Sequence, residues 1–190
     1  MKTFFALIDQ LNANPQDKQQ IHAQIWQNYG HTKAVLALDM SGFSLTVRRE
    51  GIIAYLAKIR IMQHITQPLV THYQGDIIKY EADNLLAVFD DCQLALEAAI
   101  AIRDHCVNQL LPVSIGLDYG RILLIPEQDC YGDTVNIAHK LGEDVAQANE
   151  ILISDAIKQQ LKPCATLQFN TQYISISGVE FLAYQVVTPC

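Results

Sequence analysis

The chain has 190 residues, with 13 Lys and Arg against 20 Asp and Glu, a formal net charge of −7, and half of its residues hydrophobic. That composition excludes intrinsic disorder. The densest basic runs are His31 with Lys33 and Arg48 with Arg49, so the chain is not built to grip a nucleic-acid backbone.

Residues 1–30 are expected to form a helical cap of two short helices. Phe4, Phe5, Ile8 and Leu11 recur at helical spacing, and Asn14-Pro15 breaks the pattern. Ile21, Ile25 and Trp26 resume it, with Gly30 as C-cap. The pair either packs on the core or receives a partner; the first is the expectation. Residues 31–190 read as one domain, long enough to bury a core without disulfide or metal staples.

Ala34–Leu38 is an apolar run that predicts a buried strand, closed by the tight turn Asp39-Met40-Ser41-Gly42-Phe43. Ile52, Ile53, Leu56, Ile59, Met62, Ile65 and Leu69 then recur at threes and fours, predicting a helix with that stripe inward. Asp76–Tyr80 and Leu85–Phe89 predict two strands joined by a hairpin turn at 81–84. A helix over 91–110, with Leu94, Ala95, Ala98, Ala99 and Ile102 inward, leads through Pro112 to a strand at Val113–Leu117. Gly120–Ile125 predicts a further strand. Thr134–Ala148 predicts a helix with Val135, Ile137, Ala138, Leu141 and Val145 inward. Ile151–Ile153 is a short strand, and Ser154 is suited to cap a helix ending at Leu161. The tail from Leu167 to Val187 holds two or three strands, broken at Asn170 and at Ser177-Gly178.

This order is that of an α+β fold: a ferredoxin-like βαββαβ core with additional C-terminal strands and helix, preceded by the helical segment. The first strand is expected beside the second and third, with helices on one sheet face. The apolar character of both faces at Leu85–Phe89 fits either a subunit interface or a second helical layer. Five cysteines, an odd number with no C-x-x-C, argue for reduced thiols and a cytoplasmic protein. No uncharged apolar stretch reaches the roughly 18 residues of a membrane span. Met1–Leu11 is short and carries Asp9, so it does not read as a signal peptide.

Several polar residues do not fit a core. Asp39 closes an apolar strand, and Asp83 sits in a hairpin turn. Either alone reads as a turn or cap aspartate. Two carboxylates brought together there could hold one or two hard divalent ions. The turn through Gly42 could offer N–H groups to phosphate oxygens, with Phe43 packed beneath. Lys79 precedes Asp83 by four residues, and Asp129 lies just before Gly132-Asp133-Thr134-Val135-Asn136. Asn136 and Lys140 share a helix face. Asn136 reads as a polar group on the buried side, either a core amide bonded to backbone or a functional one. Lys140 reads as a solvated lysine or a functional cation.

The stretches ALDMSGFS (37–44), KYEADNLLAVF (79–89), IGLDYG (115–120) and YGDTVNIAHKLG (131–142) together resemble a class III nucleotidyl cyclase, the adenylate and guanylate cyclase catalytic domain. The resemblance runs from about Val35 to the C-terminus. It implies a head-to-tail homodimer with two sites in the cleft between subunits. Asp39 and Asp83 would hold two Mg²⁺ or Mn²⁺ ions. Lys79 and Asp129 would read adenine, and Asn136 would orient the ribose from the opposite subunit. The implied activity converts ATP to 3′,5′-cyclic AMP and pyrophosphate, as an adenylate cyclase of cytoplasmic signal transduction. The alternative is a weak or inactive homologue that binds a nucleotide as a regulatory module. Four departures stand out. Lys140 occupies the place of an arginine that stabilises the α-phosphate. Ser177 occupies that of a phosphate-binding lysine. Only RILLIPEQ separates Gly120 from Asp129, where the family carries a longer hairpin. Ala82 replaces a glycine, a change that matters if the turn needs positive φ.

Overall fold

The computed structural model describes residues 3–126, 128–164, 167–176 and 179–187, with the side chains of Pro15, Phe43, Ser44, Ile176 and Val179 set aside. The helical segment forms as expected: α1 (Phe4–Ala13), a 3₁₀ turn (Pro15–Asp17) and α2 (Lys18–Tyr29). The Thr3 hydroxyl caps α1 by accepting from the Ala6 N–H. Gly30 is the C-cap of α2 as expected, its N–H bonded to the Trp26 carbonyl, but in extended and not left-handed conformation, and it opens β1 (Gly30–Met40), far longer than the apolar run alone.

Two helices follow, α3 (Phe43–Glu50) and α4 (Ile52–His72), separated by Gly51 at φ 86°. The hairpin β2 (Asp76–Glu81) and β3 (Asn84–Phe89) leads to α5 (Cys92–Asn108), whose N-terminus is capped by Asp91. Where two strands were expected, β4 runs unbroken from Val113 to Ile125 and turns into the short β5 (Asp129–Tyr131). A buried polar residue lies where the two apolar runs meet. Asp118, in the gap between the two expected strands, is charged by type but buried and bonded to Ser154, and burial raises its carboxyl above the ordinary range.

The expected helix over 134–148 is also shorter. α6 (Asp133–His139) gives way at Lys140 to a π-helical turn (Lys140–Val145), closed by the Ala146 N–H to the Leu141 carbonyl. β6 (Ile151–Ser154) and α7 (Asp155–Gln160) follow, with Ser154 accepting from the Ile157 N–H as its cap. β7 (Gln168–Ile176) and β8 (Val179–Val187) close the chain. Asn170 does not break β7; it lies in register with Gln185. The expected break at Ser177-Gly178 falls outside the described residues.

The strands form one sheet in the order β2-β3-β1-β4-β6-β8-β7, with β5 paired to β4. β4-β1-β3-β2 is the antiparallel order of the ferredoxin-like core, extended by the parallel pairing of β6 on β4. β1 therefore lies beside β3 and β4 and not beside β2, correcting the expected neighbours. Helices cover both faces. On one face Leu36, Leu38 and Met40 pack with α4, α5 and α7; on the other Val35 and Ala37 pack with Leu86, Val88, Val135 and Ala138. This second layer also takes in Ile122 and Cys130, so the β4–β5 hairpin folds back over the sheet. α1 and α2 pack in turn on Leu123 and Ile125 of that hairpin.

The inward stripe of α4 differs from the apolar one in the sequence. Tyr55, Ile59, Met62, Thr66 and Val70 are buried, whereas Ile52, Ile53 and Leu56 are exposed. Thr66 is tolerated inside because its hydroxyl bonds to the Met62 carbonyl and to the Tyr80 hydroxyl. Among the described residues, no helix is long and apolar enough to cross a membrane.

Where α6 ends, backbone meets backbone. A Cβ on Gly116 would collide with the Ala138 carbonyl and the Gly142 nitrogen, and one on Gly142 would lie 2.7 Å from the Ala37 carbonyl oxygen. Gly116→Ala is expected to destabilise the fold by about 3 kcal/mol, the upper range for overpacking. A lowered urea midpoint is the check.

Candidate active site

Asp39 is the penultimate residue of β1, opposite Ser114 of β4. The neighbouring register pair Leu38↔Leu85 brings the β2–β3 turn alongside. Asp39 and Asp83 therefore line one open cleft of about 570 Å³, with Met40, Ser41, Gly42, Leu45 and Ala82. A slightly larger concavity of about 620 Å³ lies between α7 and β7. It gathers no carboxylate, so chemistry and not size selects the site.

Burial and neighbouring negative charge together set the electrostatics of the cleft. Partial burial, the Asp83 carboxylate and, more weakly, Glu143 raise the Asp39 pKa to about 6, against a smaller opposing bond from the Met40 backbone. Asp83 is fixed from below. The Tyr55 hydroxyl, buried in the core, donates to Asp83 Oδ2 at 2.6 Å. Burial and that bond hold the Tyr55 phenol protonated well above its ordinary range. Tyr55 escaped sequence reasoning; the available signal was a polar-tipped aromatic one residue before Leu56 in a helical stripe.

Gly42 has φ 91° and caps α3 without a side-chain acceptor, so the first N–H groups of α3 receive no capping side chain beside the carboxylates. A Cβ there would meet nothing within 4 Å, so the glycine serves its dihedral and not the space. The Phe43 side chain, expected under the turn, is not among those described. Ala82 has φ 51°. The turn does need a left-handed residue, and the chain meets that need with alanine, at a cost of about 1 kcal/mol.

The second cluster lies on the layer formed by α6 and the folded-back hairpin. Lys79 Nζ donates to Asp129 Oδ2 at 3.0 Å and pairs with Glu81 at 3.2 Å. The bond to Asp129 is the chief reason that the ammonium holds its proton above the ordinary value. The short hairpin thus still brings Asp129 to Lys79. Asn136 is exposed on α6, which corrects the expected placement on the buried side. The Lys140 N–H bonds to the Asn136 and Ile137 carbonyls, so both residues stay on one helical path. Among the described residues, no hydrogen bond or ion pair engages the Lys140 ammonium. His139 does not face the cleft independently: its Nδ1 lies 2.6 Å from Glu143 Oε1. Glu143 also accepts from Asn84 Nδ2 at 3.0 Å. Neither Glu143 nor Asn84 was singled out in the sequence, where 59 positions separate them. Ser177 is outside the described residues.

Among the described residues, no group of three or more His, Cys, Asp or Glu side chains is arranged around a metal position. Two carboxylates and open space nevertheless fit a hard ion such as Mg²⁺, which takes one or two carboxylates and completes its shell with water and substrate phosphates. Their mutual repulsion is what such an ion would relieve.

A family profile described as the Adenylate and Guanylate cyclase catalytic domain matches residues 70–187, a span that includes Lys79, Asp83, Asp129, Asn136 and Lys140 but begins after Asp39. No curated protein sequence matches the chain. Solved structures share its fold. The catalytic core of a rhodopsin-guanylyl cyclase with converted specificity, in complex with ATPalphaS, superposes with TM-score 0.74 at 21% identity, covering 84% of this chain and 97% of that one. The adenylyl cyclase CyaB from P. aeruginosa gives 0.72 at 21%, covering 85% and 97%. An adenylate/guanylate cyclase/hydrolase from Silicibacter pomeroyi gives 0.72 at 24%, covering 85% and 99%.

Two stability measurements test the electrostatics and strain of the cleft. Asp39 titrates near pH 6 folded and near 3.8 unfolded, so the native state holds more protons in that window and stability falls as pH rises through it. Asp39→Asn is expected to stabilise the protein at pH 7.5 by about 1–2 kcal/mol after discounting for solvent screening, and to give no gain at pH 4. Urea titrations at both pH values decide this. Ala82→Gly is expected to stabilise by about 1 kcal/mol, read as a higher melting temperature.

Proposed function

The chain belongs to the adenylate and guanylate cyclase catalytic domain family, and on that premise we propose that it converts ATP to 3′,5′-cyclic AMP and pyrophosphate as a head-to-tail homodimer. The observation that carries the nucleotide assignment is the Lys79–Asp129 contact at 3.0 Å. Adenine presents a donor at its 6-amino group beside an acceptor at N1, and guanine presents the two in the opposite order. An ammonium next to a carboxylate complements the adenine order. In this reading Lys79 donates to the ring nitrogen and Asp129 accepts from the amino group.

Asp39 and Asp83 would hold two Mg²⁺ or Mn²⁺ ions, which supply Lewis acidity at the ribose 3′-hydroxyl and charge neutralisation at the phosphates. The protein's own groups position. Asp83 is anchored by Tyr55, the start of α3 offers N–H groups to the triphosphate, and Asn136 orients the ribose from the partner subunit. The 3′-oxygen attacks the α-phosphorus in line and pyrophosphate leaves. Lys140 faces the charge that develops there. An ammonium carries the charge of a guanidinium without its planar fork, and the loss of one such contact costs roughly 3–4 kcal/mol in the transition state. Lys140 also favours a second reading, a nucleotide-binding module with slight turnover. The buried thiols of Cys92, Cys106 and Cys130, all held protonated by burial, suit the cytoplasmic location that we propose.

Purified protein incubated with ATP or GTP, each with Mg²⁺ or Mn²⁺, is expected to yield cyclic AMP from ATP, identified by mass. Asp39→Ala is expected to abolish the product while leaving the fold. Lys140→Arg is expected to raise kcat by about 10²-fold. ATP binding without product in the wild type and in Lys140→Arg would favour the binding module.

A further inference from the structure

A link between the two clusters passes through Glu143. Asn84 opens β3 directly after Asp83, and Glu143 lies in the π-helical turn that continues from Asn136 and Lys140. A carboxylate only accepts, so Asn84 Nδ2 and His139 Nδ1–H both donate to the same oxygen, Glu143 Oε1, at 3.0 and 2.6 Å. The arrangement fixes the Asn84 amide. Turned over, its oxygen would face the carboxylate. As it stands, Asn84 Oδ1 is buried with no hydrogen-bond partner among the described residues. A buried orphan carbonyl is a standing cost, and the turn bearing Asp83 keeps that conformation because Glu143 holds the other end of the amide. The same turn is strained at Ala82, so its geometry needs support from outside. Tyr55 supplies this from the core side and Glu143 from the opposite layer.

We propose that Glu143, acting through Asn84, is a positioning residue that holds the Asp83 turn in its metal-binding geometry. The proposal rests on the assignment of Asp39 and Asp83 as metal ligands. It separates from a simple charge effect. If Glu143 acts only by its charge, replacing it with Gln or Ala weakens a bound cation equally, and Asn84 is irrelevant. If it acts as a strut, Gln, which keeps the accepting oxygen, preserves binding, and removing Asn84 equals removing Glu143.

The test is Mn²⁺ binding to the full nucleotide-free chain, read from the electron paramagnetic resonance signal of free Mn²⁺. The variants are Glu143→Gln, Glu143→Ala, Asn84→Ala and the double alanine variant, with melting temperatures alongside. The expected result is a Kd raised fivefold or more in both alanine variants and no further in the double variant. Glu143→Gln should stay within twofold of wild type, with all melting temperatures within a few degrees. Equal weakening in Gln and Ala variants, or wild-type affinity in Asn84→Ala, overturns the strut and leaves the metal site standing. A wild type that binds no Mn²⁺ overturns the metal assignment and the strut with it. Should Glu143→Ala fail to fold, Asn84→Ala and Glu143→Gln still decide between the two.

Discussion

Packing of the β4–β5 hairpin back onto the sheet is the constraint on which the rest depends. Ile122 and Cys130 are buried against Val35, Ala37, Leu86 and Val88. Apolar burial of this kind contributes roughly 1.5–3 kcal/mol per large side chain. It also aims Asp129 at Lys79, across strands that are not adjacent in the sheet. The outer surface of the same hairpin gives α1 and α2 their seat through Leu123 and Ile125. One apolar contact thus orders a polar pair on the inside and a helical layer on the outside.

The carboxylate cleft follows the opposite logic. Asp39 is crowded by Asp83 and Glu143, Ala82 occupies a left-handed conformation, and Asn84 buries an oxygen with no hydrogen-bond partner among the described residues. These penalties fall on neighbouring residues of one turn and one strand end, while the sheet beneath them carries apolar cores on both of its faces. Local cost concentrated where chemistry is expected, and absorbed by an over-determined core, is the pattern of a site kept for function and not for stability.

Much of this was legible in the residues. The strand before Asp39, the β2–β3 turn, the Ser154 cap and the two N-terminal helices all follow from local periodicity and capping chemistry. The failures have a common cause, which is that side-chain class is a poor guide to burial near a site. Ile52, Ile53 and Leu56 look inward-facing but lie exposed, while Tyr55 and Thr66 are inside because tertiary partners satisfy their hydroxyls. Asp118 falls in the expected gap between two strands and lies in the middle of one. Asn136 reads as a residue of the buried side and is open to solvent. The Asn84–Glu143 contact and the π-helical turn arise from tertiary placement, which no local window contains.

The contact between Gly116 and Gly142 carries a mechanical implication. With backbone seated on backbone at Gly116 and Gly142, the segment bearing Asn136 and Lys140 cannot slide or roll without breaking the approach to Ala37 and Gly116. It is soldered to the strand beneath. Motion of Asn136 and Lys140 relative to the carboxylates of the same chain must therefore arise elsewhere, in the strained Ala82 turn. A push on α1 and α2, seated on Leu123 and Ile125, would swing this layer as a rigid lever.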